Sequence, residues 1–119
     1  MKTVMKTLVL PWPPKALSPN ARGHWSKKHK AAQKYRSDCY YLAKGGATLK
    51  PSTQGIIDLT VFFYPPDKRR RDFDNMLASI KAGIDGVADA WNVDDYKFRF
   101  HLDRGDVRKH GAVEVRWKA

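Results

Sequence analysis

The stretch that decides the fold reads IIDLTVFFYPPDKRRRDFDNMLASIKAGIDGVADAW and spans residues 56–91. Its first part, Ile56 to Tyr64, alternates apolar residues on one face and is rich in β-branched and aromatic side chains, which predicts a strand. Pro65 and Pro66 end that strand. From about Asp74 to Ala90 the apolar residues recur at helical spacing, so we expect one helix there.

Working outward, further elements are expected on both sides of this stretch. Strands are predicted over residues 7–10, 96–102 and 112–117, and a helix is predicted from near Ser26 to the Gly45–Gly46 pair. The residues of that helix expected to face the core are Trp25, Ala32, Tyr35, Cys39 and Leu42. The order β-α-β-α-β-β predicts a single small α+β domain over residues 1–119, with two main helices packed on a mixed sheet.

Two glycines lie inside the second predicted helix. Gly83 and Gly86 each weaken a helix by about 1 kcal/mol relative to alanine. Close packing against another backbone, in this chain or in a second subunit, is one reason to keep them, and chance is another.

The chain is strongly basic. It has 23 Lys and Arg against 12 Asp and Glu in 119 residues, which gives a net charge of +11. Such an excess favours a polyanion or an acidic membrane surface as the partner. The apolar runs are too short to span a membrane, and the lone Cys39 fits a reducing cytoplasm. Phosphate-loop, dinucleotide and zinc motifs are absent from the sequence, so no organic cofactor is expected.

The basic residues fall into two groups. Lys68 is followed by Arg69, Arg70 and Arg71, and arginine presents a planar fork of donors that suits phosphate. The second group is Lys27, Lys30 and Lys34, which share one side of the first helix. A bound phosphate backbone would explain both groups, and a solvated lysine face is the alternative for the second.

Acidic residues follow the arginines directly. Asp72 and Asp74 flank the predicted start of the second helix, and Asp94 and Asp95 follow its end. Carboxylate oxygens suit Mg²⁺ or Mn²⁺, and a metal ringed by cations suits phosphodiester hydrolysis. The structural alternative is that Asp74 caps the helix and that the later pair is an ordinary turn.

Three landmarks in this sequence resemble the RusA family of Holliday junction resolvases. The first is LPWPP at residues 10–14, followed by Ser18, Pro19, Asn20 and Trp25. The second, and the most specific, is RRRDFDN at residues 69–75. The third is VDDYKF at residues 93–98, where the family has paired acids after its central helix. The landmarks occur in the family's order over most of the chain.

The resemblance implies a homodimer that binds four-way DNA junctions and nicks two opposing strands with Mg²⁺ or Mn²⁺. By position, Asp72, Asp74 and Asp95 would be the metal carboxylates, with Asp94 as a helper. Asn20 would join the basic residues at the DNA. The setting would be the cytoplasm of a bacterial or phage-infected cell.

The chain departs from the family at one position. Where some members carry a functional lysine, one helical turn after the second aspartate of the motif, this sequence has Ala78. Lys81 is the nearest lysine and, in a straight helix, would lie on about the same side. It would either contact the scissile phosphate or form an i, i+4 pair with Asp85.

Two other functions remain open on sequence alone. A non-catalytic DNA- or RNA-binding module would use the same cations, with the acids serving as caps and turns. A nuclease for forks or flaps would use the same site on other branched DNA. The tryptophans are expected in the core, although Trp12 and Trp25 flank loops where a base could stack.

Overall fold

The computed structural model describes residues 5–45, 50–52 and 54–118. These residues form four strands and three α-helices: β1 (Met5–Leu10), α1 (Trp25–Gly45), β2 (Ile57–Tyr64), α2 (Phe73–Ser79), α3 (Lys81–Trp91), β3 (Phe98–Arg104) and β4 (Ala112–Lys118). Short 3-10 helices lie at Lys15–Leu17 and Asp95–Lys97. The predicted α+β class and the order β-α-β-α-β-β are confirmed, but the second predicted helix is divided in two.

The four strands form one mixed sheet in the order β1-β4-β2-β3. β2 and β3 are parallel, with Ile57 opposite Phe98, and α2 and α3 form the crossover between them. β4 lies between β1 and β2 and is antiparallel to both. The end of β2 therefore leads directly into the arginine-rich segment, while the acids after α3 precede the start of β3.

The core lies on one face of the sheet. Along β2 the buried residues alternate with less buried ones, and Ile57, Leu59, Val61 and Phe63 all face inward. They form one cluster with the inner faces of β4, α1 and α3. The ring centroids of Trp91 on α3 and Trp117 on β4 lie 4.8 Å apart. Helix α3 is thereby fixed against the sheet.

Helices α1 and α3 approach each other closely because of two glycines. A Cβ atom at Gly86 would lie 2.2 Å from the carbonyl oxygen of Arg36, and one at Gly83 would lie 2.5 Å from Cε2 of Tyr35. The Arg36 guanidinium also bonds the Asp89 carboxylate on α3 at 2.6 Å. Close packing within one chain therefore explains both glycines, without a second subunit.

The predicted continuous helix over residues 74–90 is wrong at Ile80, where α2 ends and α3 begins. Ile80 has φ −98° and ψ 2°, outside the helical values. At the preceding residue, the Ser79 hydroxyl donates to the Asn75 carbonyl at 2.8 Å. Such back-bonding by serine competes with the helical pattern and bends helices. Ile80 itself is fully buried, so the bend lies in the core.

The predicted core face of α1 is correct only in its middle. Tyr35 and Cys39 are buried, whereas Trp25 is 73 % and Leu42 is 41 % exposed. The reason is length: α1 has 21 residues and α3, against which it packs, has 11. At about 1.5 Å per residue the longer helix extends past its partner at its ends. The first turn of α1 therefore projects from the core.

In the part of the chain that the structure describes, none of the helices combines the length and the apolar character that crossing a membrane requires.

Candidate functional site

A basic cleft of about 900 Å³ lies between two loops. One wall runs from the end of β1 to the first turn of α1, and the other joins β2 to α2. Seven cationic side chains line the cleft: Lys15, Arg22, Lys27, Lys28, Arg69, Arg70 and Arg71. The acidic side chains in the lining are Asp67 and Asp72. The first and second landmarks of the sequence thus face each other across one cleft.

The predicted DNA-binding residues divide between the cleft and the outside. Asn20, Lys27 and the three arginines line it. The lining does not include Lys68, Lys30 or Lys34. The Lys34 ammonium instead bonds the Asp38 carboxylate at 2.8 Å. Since α1 leaves the cleft after its first turn, the predicted lysine stripe contributes only its first member.

The Arg71 side chain folds back onto the loop between β2 and α2 and stabilises it, instead of projecting into solvent. Its guanidinium donates to Asp67 Oδ1 at 2.8 Å and lies 5.5 Å from the centre of the Trp12 ring, with only 21 % of the side chain exposed. The same carboxylate accepts the backbone N–H of Arg69 at 3.0 Å. The Arg71 guanidinium, followed by this N–H, holds the pKa of Asp67 below its ordinary value. A fixed loop of this kind presents Arg69 and Arg70 toward solvent.

Asp72, and not Asp74, is the N-cap residue of α2. The backbone N–H of Met76 donates to the Asp72 carbonyl at 3.0 Å, but the Asp72 side chain accepts no capping bond. Its carboxylate lies 3.9 Å from Nε of Arg70, a loose contact between exposed groups. Asp74 lies in the first turn of α2. Neither carboxylate forms a capping hydrogen bond, so the oxygens of both are available to bind a cation.

A second acidic group surrounds Lys81 at the start of α3. The ammonium donates to Asp85 Oδ1 at 3.0 Å and also to Asp95 Oδ2. Asp95 reaches this position because Asn92 adopts a left-handed conformation, with φ 55°, and turns the chain back along α3. Asp94 caps the following 3-10 helix, and its Oδ1 accepts the Tyr96 N–H at 3.2 Å. The i, i+4 pair of Lys81 with Asp85 is therefore present, together with a second carboxylate.

Within this group the pKa of Asp95 is lowered and the pKa of Lys81 is raised. The hydrogen bond and the charge of Lys81 hold the pKa of Asp95 below its ordinary value. For Lys81 burial lowers the pKa, but the hydrogen bonds to Asp95 and Asp85 outweigh it, so the pKa is raised. Both partners are consequently charged at neutral pH.

The two acidic groups lie at the starts of different helices, α2 and α3. Over residues 5–45, 50–52 and 54–118, there is no cluster of three or more His, Cys, Asp or Glu side chains placed to hold a metal ion. Asp72 and Asp74 lie before the bend at Ile80, whereas Asp95 lies with Lys81 after it. The convergence of Asp72, Asp74 and Asp95 on one ion stays a prediction. The donors still suit Mg²⁺, which keeps several waters and needs only one or two protein carboxylates.

Several residues of these sites were not identified from the sequence. The sequence predicts Asp85 only as a partner of Lys81, but Asp85 also lies close enough to Asp95 to interact with it. Arg22, His24 and Lys28 also line the cleft, beyond the predicted DNA-binding residues. One sequence feature points to these residues: a loop that carries Arg and His leads into a helix whose first turn has no acidic residue.

No family model matches the chain. A protein of Xylella fastidiosa (strain Temecula1 / ATCC 700964) is 43 % identical over 114 residues, which cover 93 % of this chain and 74 % of the relative. The chain belongs to the same family as this protein. The relative's name, "Uncharacterized protein", states no activity. The family relationship is therefore shown without a function.

Proposed function

We propose that this protein is a metal-dependent, structure-selective endodeoxyribonuclease of the RusA type, which resolves four-way DNA junctions by paired nicks. The observation that carries the proposal is the position of Asp72. Its carboxylate, which caps nothing, lines a cleft whose other walls carry arginines and lysines. A carboxylate among phosphate-binding groups repels DNA unless a cation lies between them.

The charge of the cleft supports a nucleic-acid substrate. Arg69 and Arg70 have 76 % and 94 % of their side chains exposed, so they are available to phosphates. One of the two acids, Asp67, is already neutralised by Arg71. Cationic residues outnumber acidic ones in the lining and lie on both walls, as a groove for a phosphate backbone requires.

Mg²⁺ is the proposed cofactor, with Mn²⁺ able to replace it. When bound it would polarise the scissile phosphate and lower the pKa of an attacking water. Asp72 and Asp74 would hold the ion, and Asp95 would complete the set, assisted by Asp94. Lys81 would keep the Asp95 carboxylate ionised and oriented, so its role here is to position a ligand.

The proposed assembly is a homodimer. A four-way junction has two-fold symmetry, and a two-fold dimer presents one site to each of two opposing strands. The proposed location is the cytoplasm of a bacterial or phage-infected cell, where the DNA substrate lies.

Cleavage of a synthetic four-way junction tests the proposal. In Mg²⁺ or Mn²⁺ the wild-type protein should cut two opposing strands. Asp72→Asn should lower the rate by more than about 100-fold, because a metal ligand is lost. Binding in EDTA should be unchanged or tighter, since a negative charge near phosphate is removed. Asp89→Asn is the matched control: it makes the same charge change outside the cleft, in the pair with Arg36.

The same experiment separates the alternatives. If the wild-type protein binds the junction but cuts it in neither metal, the nuclease proposal is wrong and a binding module is favoured. In that case Asp72→Asn should alter affinity only slightly. If forks or flaps are cut faster than junctions at one salt concentration, the enzyme acts on other branched DNA.

A further inference from the structure

The first turn of α1 exposes a tryptophan next to the basic cleft. Trp25 is 73 % exposed, although tryptophan has one of the largest apolar surfaces of any side chain. Leaving such a ring in water forgoes the stabilisation that its burial would contribute. The projecting end of α1 keeps the ring away from the core, so the ring is available to a partner outside the chain.

The neighbouring residue makes this exposed ring part of an ordered surface. The ring centroids of His24 and Trp25 lie 5.7 Å apart with an interplanar angle of 32°. Nδ1 of His24 lies 2.7 Å from the Ser26 hydroxyl and accepts the Ser26 N–H at 3.2 Å. The His24 carbonyl also accepts the N–H of Lys27 at 3.1 Å. These bonds hold the His24 ring at the start of α1, and the Trp25 ring lies beside it.

The charged residues near the Trp25 ring indicate which class of partner it could bind. His24 itself lines the basic cleft, together with Arg22, Lys27 and Lys28 from the same wall. An aromatic face beside a row of cations is the arrangement that stacks a base while holding the adjoining phosphates. Tyr96 is also 73 % exposed, but it is not among the residues that line the basic cleft.

We propose that the His24–Trp25 step is a stacking site for an unpaired DNA base, with the neighbouring backbone held in the basic cleft. The inference rests on the proposed function and deepens it. Base pairs at a branch point are open or easily opened, and a fully paired duplex offers no free base face. The site would thus contribute selectivity for branched over linear DNA.

Three variants test the proposal. Trp25→Ala removes the ring, and Trp25→Phe keeps an aromatic face. Tyr41→Ala is the matched control, since Tyr41 is 67 % exposed on the same helix but lies toward its other end. Affinities for a four-way junction, a single-stranded oligonucleotide and a linear duplex should be measured at one salt concentration in EDTA, so that no strand is cut.

Trp25→Ala should weaken binding to the junction and to the single strand by about 10-fold, because one base–aromatic stack is lost. Binding to duplex should change by less than about 2-fold, since its contacts are phosphate contacts. Trp25→Phe should stay within about 3-fold of wild type on all three substrates. Single-stranded DNA should quench tryptophan fluorescence in wild type, and most of this quenching should disappear in Trp25→Phe.

Other results would overturn the proposal. An equal loss on all three DNAs, or no loss with Trp25→Ala, excludes base stacking. A change in oligomeric state with unchanged DNA affinity shows that Trp25 belongs to a protein interface. If wild type still cuts junctions in metal, these outcomes leave the nuclease proposal intact. If wild type binds no DNA of any form, both proposals are wrong.

Discussion

Replacing Gly86 with alanine should separate the two long helices and weaken the fold. The added Cβ would lie 2.2 Å from the Arg36 carbonyl oxygen, whereas ordinary contacts begin at 3.4 Å. The obstacle is backbone, which cannot rotate away as a side chain can. Helices α1 and α3 must therefore move apart by about 1 Å, because protein interiors hold little free space.

The cost follows from the contacts along this interface. A gap of about 0.5–1 Å forfeits a quarter to a half of the dispersion energy between the atoms that face it. Overpacking a core typically costs 1–3 kcal/mol, and the backbone obstacle places Gly86→Ala at the upper end, near about 3 kcal/mol. Alanine regains about 1 kcal/mol as the better helix former. The net loss in the free energy of unfolding should be about 2 kcal/mol.

Urea unfolding followed by circular dichroism and tryptophan fluorescence measures this loss directly. Gly83→Ala should also destabilise, but by less, since the added Cβ would meet side-chain atoms of Tyr35 and Cys39. Gly45→Ala is the control: nothing lies within 4 Å of its added Cβ, so stability should be unchanged or should rise by up to about 1 kcal/mol. A Gly86→Ala protein as stable as wild type would refute the close approach of α1 and α3.

Two further predictions concern titratable groups. The Arg99 guanidinium, followed by His101, lowers the pKa of Asp58 to about 2, so an NMR titration should place the midpoint there, and Arg99→Gln should move it toward the ordinary value of about 3.9. Because this pKa is depressed by folding, its contribution to stability is present above about pH 4 and is lost as pH falls toward 2; an unshifted midpoint would contradict the Asp58–Arg99 contact. Burial raises the pKa of Cys39 to about 12, so a thiol reagent should label the native protein only as fast as it opens, and rapid labelling without urea would show the thiol to be accessible.

Local patterns in the sequence were sufficient for much of the fold. The alternation along Ile57–Tyr64 and the helical spacing after it define one apolar face per element, because each element has a fixed period. The class, the element order and a basic segment running into two acids follow from such patterns. The expectation that Asp72 and Asp74 bind a metal follows from carboxylates placed next to cations, and the RusA resemblance implies it too. It remains a prediction.

Which apolar faces pack against each other follows only from the tertiary structure. The sequence did not indicate that β4 enters between β1 and β2, or that Gly86 lies against the Arg36 carbonyl. The same holds for the turn that brings Asp95 to Lys81. Each depends on residues far apart in the chain, whose contacts no local period encodes.

The tertiary structure also changed the roles expected of individual residues. The helical spacing of Trp25 predicted a core position, but α1 is longer than α3 and carries the ring into solvent. Arg71 shares its charge with Arg69 and Arg70, yet it is folded back onto Asp67. The sequence determined which side chains are chemically able to bind DNA and metal. The tertiary structure decided which of them are free to do so, because burial, bends and ion pairs are set by the packing of distant segments.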